Sequence, residues 1–185
     1  KVKNFLMYSV FEIYGDEDRT EAEMLIDKIN DTWAHVFQHL EIAGRWRTEN
    51  EEQFLRVHWL ICYKSDNKIY DVHKEVKKRF GRLAETSSEQ FRDELVGYLD
   101  TLKEYAVHYR AAYSPATVPY LSVQVKDTIA GFHRMGNVST ALPLIMAFLH
   151  RFYKDNEKLS HGLTLLEKFV FRVAILADKK SNTGV

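Results

Sequence analysis

Residues 86–115 read TSSEQFRDELVGYLDTLKEYAVHYRAAYSP, from Thr86 to Pro115. Phe91, Leu95, Tyr98, Leu99, Leu102, Tyr105, Ala106, Tyr109 and Tyr113 recur every three or four positions. That spacing lines up one face of an α-helix. Thr86-Ser87-Ser88 supplies hydroxyl caps for its first turn, and Pro115 closes it. The spacing predicts the longest helix of the chain here.

The same period extends to both sides. Upstream, Asn4 to Tyr14 is apolar and aromatic and fits a helix or a strand. Thr20 with Glu23 fits a capping box and opens a helix through Met24, Leu25, Ile29, Trp33, Val36, Phe37 and Leu40, with Gly44 as its stop. Thr48 with Glu51 is a second box. It opens a helix through Phe54, Leu55, Trp59, Leu60 and Tyr63. Ser65-Asp66-Asn67 reads as a turn. A helix with Ile69, His73, Val76 and Phe80 follows, and Gly81 is expected to stop it. No proline precedes Pro115, so nothing interrupts these helices.

Downstream, residues 116–136 are read as a helix ending near Gly136, although Leu121, Val123 and Val125 also alternate like a strand. Ser139 or Thr140 is expected to cap the next helix, with Pro143 in its first turn. The last helix is expected from Asn156 to Ala177. It is apolar almost all round, the pattern of a central core helix. The sum is an all-α, irregular bundle of about seven or eight helices, with 1–185 read as a single helical domain. The chain starts at Lys1, and it is read as a piece excised from a longer multidomain protein.

Composition narrows function. Hydrophobic residues make up 45% of the 185, which excludes a disordered chain. Eight glycines and three prolines are too few for a β-sandwich or barrel. Lys and Arg number 26, as do Asp and Glu, so no global basic excess marks a nucleic-acid binder. A lone Cys62 allows no internal disulfide and no four-cysteine zinc site. The apolar run from Leu142 to Leu149 is too short to span a bilayer, and a cytoplasmic location is the expectation.

Motifs carry little catalytic chemistry. His35 and His39 sit one turn apart, a spacing able to chelate a metal. They lack a zincin glutamate and a third ligand, and they are read as surface or flanking histidines. No phosphate-binding glycine loop and no nucleophile elbow is found. Cys62, between Ile61 and Tyr63, is read as a buried structural thiol. Tyr98, Tyr105, Tyr109 and Tyr113 could stack bases, but at helical spacing they read as core. No catalytic or metal residue and no cofactor is assigned. The acidic run Asp16 to Glu23 reads as a solvated loop or a mate for a basic patch. The patch that stands out is Lys74, Lys77, Lys78, Arg79 and Arg82, five cations in nine residues with one acid, Glu75. It reads as either a phosphate contact or a solvated helix face.

Several segments, in order, resemble a known family. Lys1-Val2-Lys3-Asn4-Phe5-Leu6-Met7-Tyr8 resembles a K-N-[FY]-L segment. Phe54-Leu55-Arg56-Val57-His58-Trp59-Leu60 resembles F-L-R-x-[HY]-[WY]. Pro143-Leu144-Ile145-Met146 resembles a P-L-L-L helix start. Leu165-Leu166-Glu167-Lys168-Phe169-Val170-Phe171-Arg172 and Lys180-Ser181-Asn182-Thr183-Gly184 resemble the end of the same region. Together they look like the helical middle region of GmrSD-type modification-dependent restriction endonucleases, which act in phage defence. The resemblance implies a parent protein with an N-terminal ParB-like nucleotide-binding module marked D-G-Q-Q-R and a C-terminal HNH-type nuclease. Neither motif stands in this sequence, so no catalytic residue carries over. The implied partners are the flanking domains of the parent chain, with DNA contact through Lys74 to Arg82. The implied role is a non-catalytic connector, the parent being the nucleotide-dependent DNA endonuclease. Two rival expectations are a stand-alone protein-interaction module using an apolar groove and a small-ligand pocket between helices.

Overall fold

The computed structural model describes residues 1–15, 18–44, 48–63, 71–136 and 138–176. Among them are eight α-helices and no strand: α1 (Val2–Tyr14), α2 (Arg19–Ile42), α3 (Thr48–Cys62), α4 (Val72–Thr86), α5 (Ser88–Tyr113), α6 (Val123–Arg134), α7 (Val138–Phe152) and α8 (Asn156–Val170). A 3₁₀ turn, Pro115–Thr117, follows α5, and a π-helical turn, Phe171–Leu176, follows α8. The all-α bundle expected from apolar spacing is the fold observed. The ambiguous Asn4 to Tyr14 stretch is helical, as part of α1.

The chain forms two compact units. One comprises Lys1–Glu41 with Arg45–Ala106, the other Ile42–Gly44 with Val107–Val185. In the first unit α1 and α3 both pack on α4. Its core includes Leu6, Trp33, Phe54, Val76, Phe80, Phe91, Leu95 and Tyr98, all essentially sealed from solvent. Each such aliphatic or phenyl side chain contributes about 1.5–3 kcal/mol by leaving water. In the second unit α6, α7 and α8 pack on one another, around Val125, Ile129, Phe132, Leu142, Met146, Leu149 and Leu163.

Caps explain most helix starts. Ser87 is extended at φ −163° and ψ 116°, and its Oγ accepts from Gln90 N at 3.3 Å, opening α5 as its sequence suggests. Asp71 Oδ1 accepts from His73 N at 3.0 Å and Lys74 N at 3.3 Å, fixing the start of α4. Asp155 does the same for α8 through Lys158 N at 3.1 Å. The α2 start corrects the capping-box reading. Asp18 Oδ1 accepts from Glu21 N at 3.0 Å, so Asp18 caps and Thr20 lies inside the helix. A carboxylate two residues earlier meets the same orphan N–H groups with full charge. The second capping box is corrected too: Thr48 is the first residue of α3 rather than its cap, and Glu51 Oε1 accepts the indole N–H of Trp33 at 2.9 Å.

Other boundaries move for identifiable reasons. Gly81 lies inside α4, which runs five residues past it to Thr86. One glycine costs a helix only about 1 kcal/mol, and Arg82, Leu83, Ala84 and Glu85 after it favour helix. Helix α6 starts at Val123, not near residue 116. Pro119 lacks the N–H a helix needs there, and Ser122 Oγ caps Val125 N at 3.3 Å. Val138 is the first residue of α7, so Ser139 and Thr140 lie within the helix rather than capping it, and Pro143 sits beyond the first turn. Helix α8 is not buried all round. Leu159, Leu163, Leu166 and Val170 face inward, while Leu165 and Phe169 are exposed. Gly44 (φ +67°) and Gly136 (φ +71°) end α2 and α6 in the left-handed region that glycine reaches without strain. The turn read at Ser65-Asp66-Asn67, with Ile69, Asp16, Glu17 and the segment 180–184, lies outside the described residues.

Candidate phosphate-contact face

Helix α4 places its apolar and basic residues on different sides. Val72, Val76 and Phe80, four residues apart, are buried. Lys74, Lys77, Lys78, Arg79 and Arg82 are all exposed. Because α4 continues through Gly81, Arg82 stays on the same helix as the other four. Lys74, Lys78 and Arg82 then form one i, i+4, i+8 row.

Neutralisation of the five cations is partial. Arg79 is held by Glu94 on α5, whose Oε1 accepts from Nε at 2.8 Å and Nη2 at 2.6 Å. Lys74 lies 3.8 Å from Asp71, a loose exposed pair. Among the described residues Lys77, Lys78 and Arg82 form no ion pair. Three exposed cations within six residues are thus without an ion pair among the described residues.

Three of the five cations also do something the sequence does not show. Lys78, Arg79 and Arg82 line a cavity of about 640 Å³ together with Trp59, Tyr63, Glu75 and Leu83. Positions 75, 78, 79, 82 and 83 share one face of α4. Trp59 and Tyr63, one turn apart at the end of α3, supply the facing surface. Their rings stack at 4.3 Å between centroids and 22° between planes. The Arg79 guanidinium lies 4.7 Å from the Tyr63 ring centroid, a cation–π contact. Lys74 and Lys77 are not part of this wall. The five-residue cluster therefore divides into a lysine pair on open surface and a trio on a cavity.

Beneath the aromatic pair lies a polar core. His58 is fully buried, and its Nε2 sits 3.0 Å from Thr101 Oγ1 and 3.5 Å from Cys62 Sγ. Burial holds its imidazole down to about 3, so it stays neutral. Cys62 corrects the buried-thiol reading, because the residue is exposed. Its sulfur nonetheless meets His58 and Tyr105, and desolvation pushes the thiol up to about 11. A thiol held protonated beside a neutral imidazole is a poor nucleophile. Tyr98 is fully buried with its hydroxyl unpaired among the described residues, and burial raises its pKa. Tyr98, Tyr105 and Tyr109 are buried, so they are core residues rather than a base-stacking platform.

The histidine pair behaves differently from its sequence reading. His39 is buried and His35 half-buried, with ring centroids 4.5 Å apart. Partial burial lowers the His35 pKa, against a hydrogen bond to the Lys103 backbone. Among the described residues no three His, Cys, Asp or Glu side chains converge as metal ligands, and no helix is long and apolar enough to cross a membrane.

No protein-family model, no curated protein and no solved structure matches the chain.

Proposed function

We propose that this chain is a non-catalytic helical scaffold whose basic α4 face contacts the phosphate backbone of DNA. The observation that carries this reading is the exposure of all five α4 cations, with Lys77, Lys78 and Arg82 outside any ion pair among the described residues. Such a face binds polyanions without sequence preference, by releasing condensed counterions. The ordered segments that resemble GmrSD-type proteins extend the proposal. In that setting the chain is a cytoplasmic connector of a phage-defence DNA endonuclease, holding nucleotide-binding and nuclease modules that flank it. A packed helical body is the kind of element able to fix two such modules relative to each other.

The experiment is a duplex-DNA retention assay at low salt on the chain and on Lys74→Glu/Lys77→Glu. That pair is chosen because it spares the Arg79–Glu94 contact that joins α4 to α5. The proposal expects weak retention by the unaltered chain and still weaker retention by the variant, with helicity unchanged. Equal retention by both would show that the cluster is only a solvated face. For the connector role, the decisive observation is a D-G-Q-Q-R motif upstream and a nuclease motif downstream in the parent reading frame.

One observation favours the rival interaction module. Leu144, Phe148, Leu165 and Phe169 line an apolar groove of about 940 Å³ on α7 and α8, with Leu144, Leu165 and Phe169 exposed. That reading expects no DNA retention and a change in association on Leu165→Ser/Phe169→Ser.

A further inference from the structure

We propose that the cavity between α3 and α4 is a binding site for a phosphate ester that carries a planar ring. This unit is common to a free nucleoside monophosphate and to one residue of a single nucleic-acid strand. The inference shares Lys78, Arg79 and Arg82 with the backbone-contact reading but adds Trp59 and Tyr63 and leaves out Lys74 and Lys77. It does not require that reading to hold.

Three features specify the ligand. The first is charge. Among the described residues the wall presents Lys78, Arg79 and Arg82 against a single acid, Glu75. Glu94 outside the wall offsets Arg79, so among the described residues Lys78 and Arg82 are the wall's cations without an ion pair. They are one turn apart on α4 and can close on the oxygens of one phosphate. The second is a fixed guanidinium. Glu94 takes two of the five N–H donors of Arg79 and sets its plane, leaving the others to an incoming oxyanion. The third is the stacked surface. Trp59, only 4% exposed, stacks on Tyr63, and the Arg79 guanidinium lies over the Tyr63 ring, so half-buried Tyr63 and exposed Arg79 carry the accessible planar surface. Aromatic rings and guanidinium planes are the surfaces on which bases stack. A cavity of about 640 Å³ lies in the range that takes a small ligand. A bare anion would use the cations alone and leave the aromatic layer unused.

The test is isothermal titration of the full chain with adenosine 5′-monophosphate, inorganic phosphate and adenosine, followed by competition with an oligothymidylate octamer. The expected result is saturable one-to-one binding of the monophosphate, about tenfold or more tighter than either phosphate or adenosine alone. Lys78→Glu/Arg82→Glu should abolish it. Both side chains are exposed and outside ion pairs among the described residues, and circular dichroism checks that the fold persists. Tyr63→Leu should remove the advantage over inorganic phosphate, and Tyr63→Phe should restore it. Displacement of the monophosphate by the octamer assigns the site to a nucleic-acid strand. Binding that the octamer does not displace assigns it to a free phosphate ester. Lys74→Glu/Lys77→Glu should leave monophosphate binding intact while lowering duplex retention, so the two proposals can fail separately. Absence of saturable binding, equal affinity for phosphate and monophosphate, or unchanged binding by Lys78→Glu/Arg82→Glu would each overturn the assignment.

Discussion

His58 shows what a single position does in this fold. It is sealed among Cys62, Tyr63, Tyr98, Thr101 and Tyr105, and desolvation lowers its pKa to about 3. His108 is lowered to about 4, first by burial and then by His150. An unfolded histidine titrates near 6.5, so below that pH the unfolded chain binds protons that the folded chain refuses. Stability is therefore whole above about pH 6.5 and is lost as pH falls toward 4, at up to about 1.4 kcal/mol per pH unit for each such histidine. Urea unfolding between pH 7 and 4 should show a falling midpoint. His58→Gln should be less stable at pH 7 but show a shallower fall. A midpoint independent of pH across that window would contradict the buried, neutral assignment. The sequence placed His58 on the Phe54–Trp59 stretch but gave no sign of its burial, because burial depends on Tyr98 and Thr101 from another helix.

Helix ends were the best-marked elements, and the reasons are local. Ser87 and Gly44 act where their chemistry predicts, since a hydroxyl cap and a positive φ need no tertiary partner. Pro115 likewise ends α5. Misreadings arose where a local signal was outweighed. Gly81 carries a stop signal, but Phe80 before it is fully buried against Phe91 and Tyr98, and that packing holds α4 together across it. The apolar circumference of α8 suggested a central helix, yet only one of its faces is covered within its unit. Gly81 also permits a clean test. It lies in helical conformation, and a Cβ there would meet nothing within 4 Å. Gly81→Ala should stabilise the chain by about 0.5–1 kcal/mol, read as a higher denaturation midpoint. A loss of stability would mean that α4 depends on flexibility at this point.

For the whole molecule, the all-α class follows from the period of its apolar residues and the scarcity of glycine and proline, both plain in the sequence. The candidate site was half legible. Five cations in nine residues can be counted in the chain, and i, i+4 spacing puts Lys74, Lys78 and Arg82 in one row. The cavity could not be read the same way, because Trp59 and Tyr63 meet α4 only after α3 packs on it. The central claim is that the α4 face contacts phosphate, and its most direct test is the salt dependence of duplex-DNA affinity. A logarithmic plot of affinity against salt should be linear with a steep negative slope, each phosphate contact adding about 0.9. Lys74→Glu/Lys77→Glu should flatten the slope by about 2, roughly one per lysine. No measurable affinity at low salt, or the same slope in the variant as in the unaltered chain, would contradict the account.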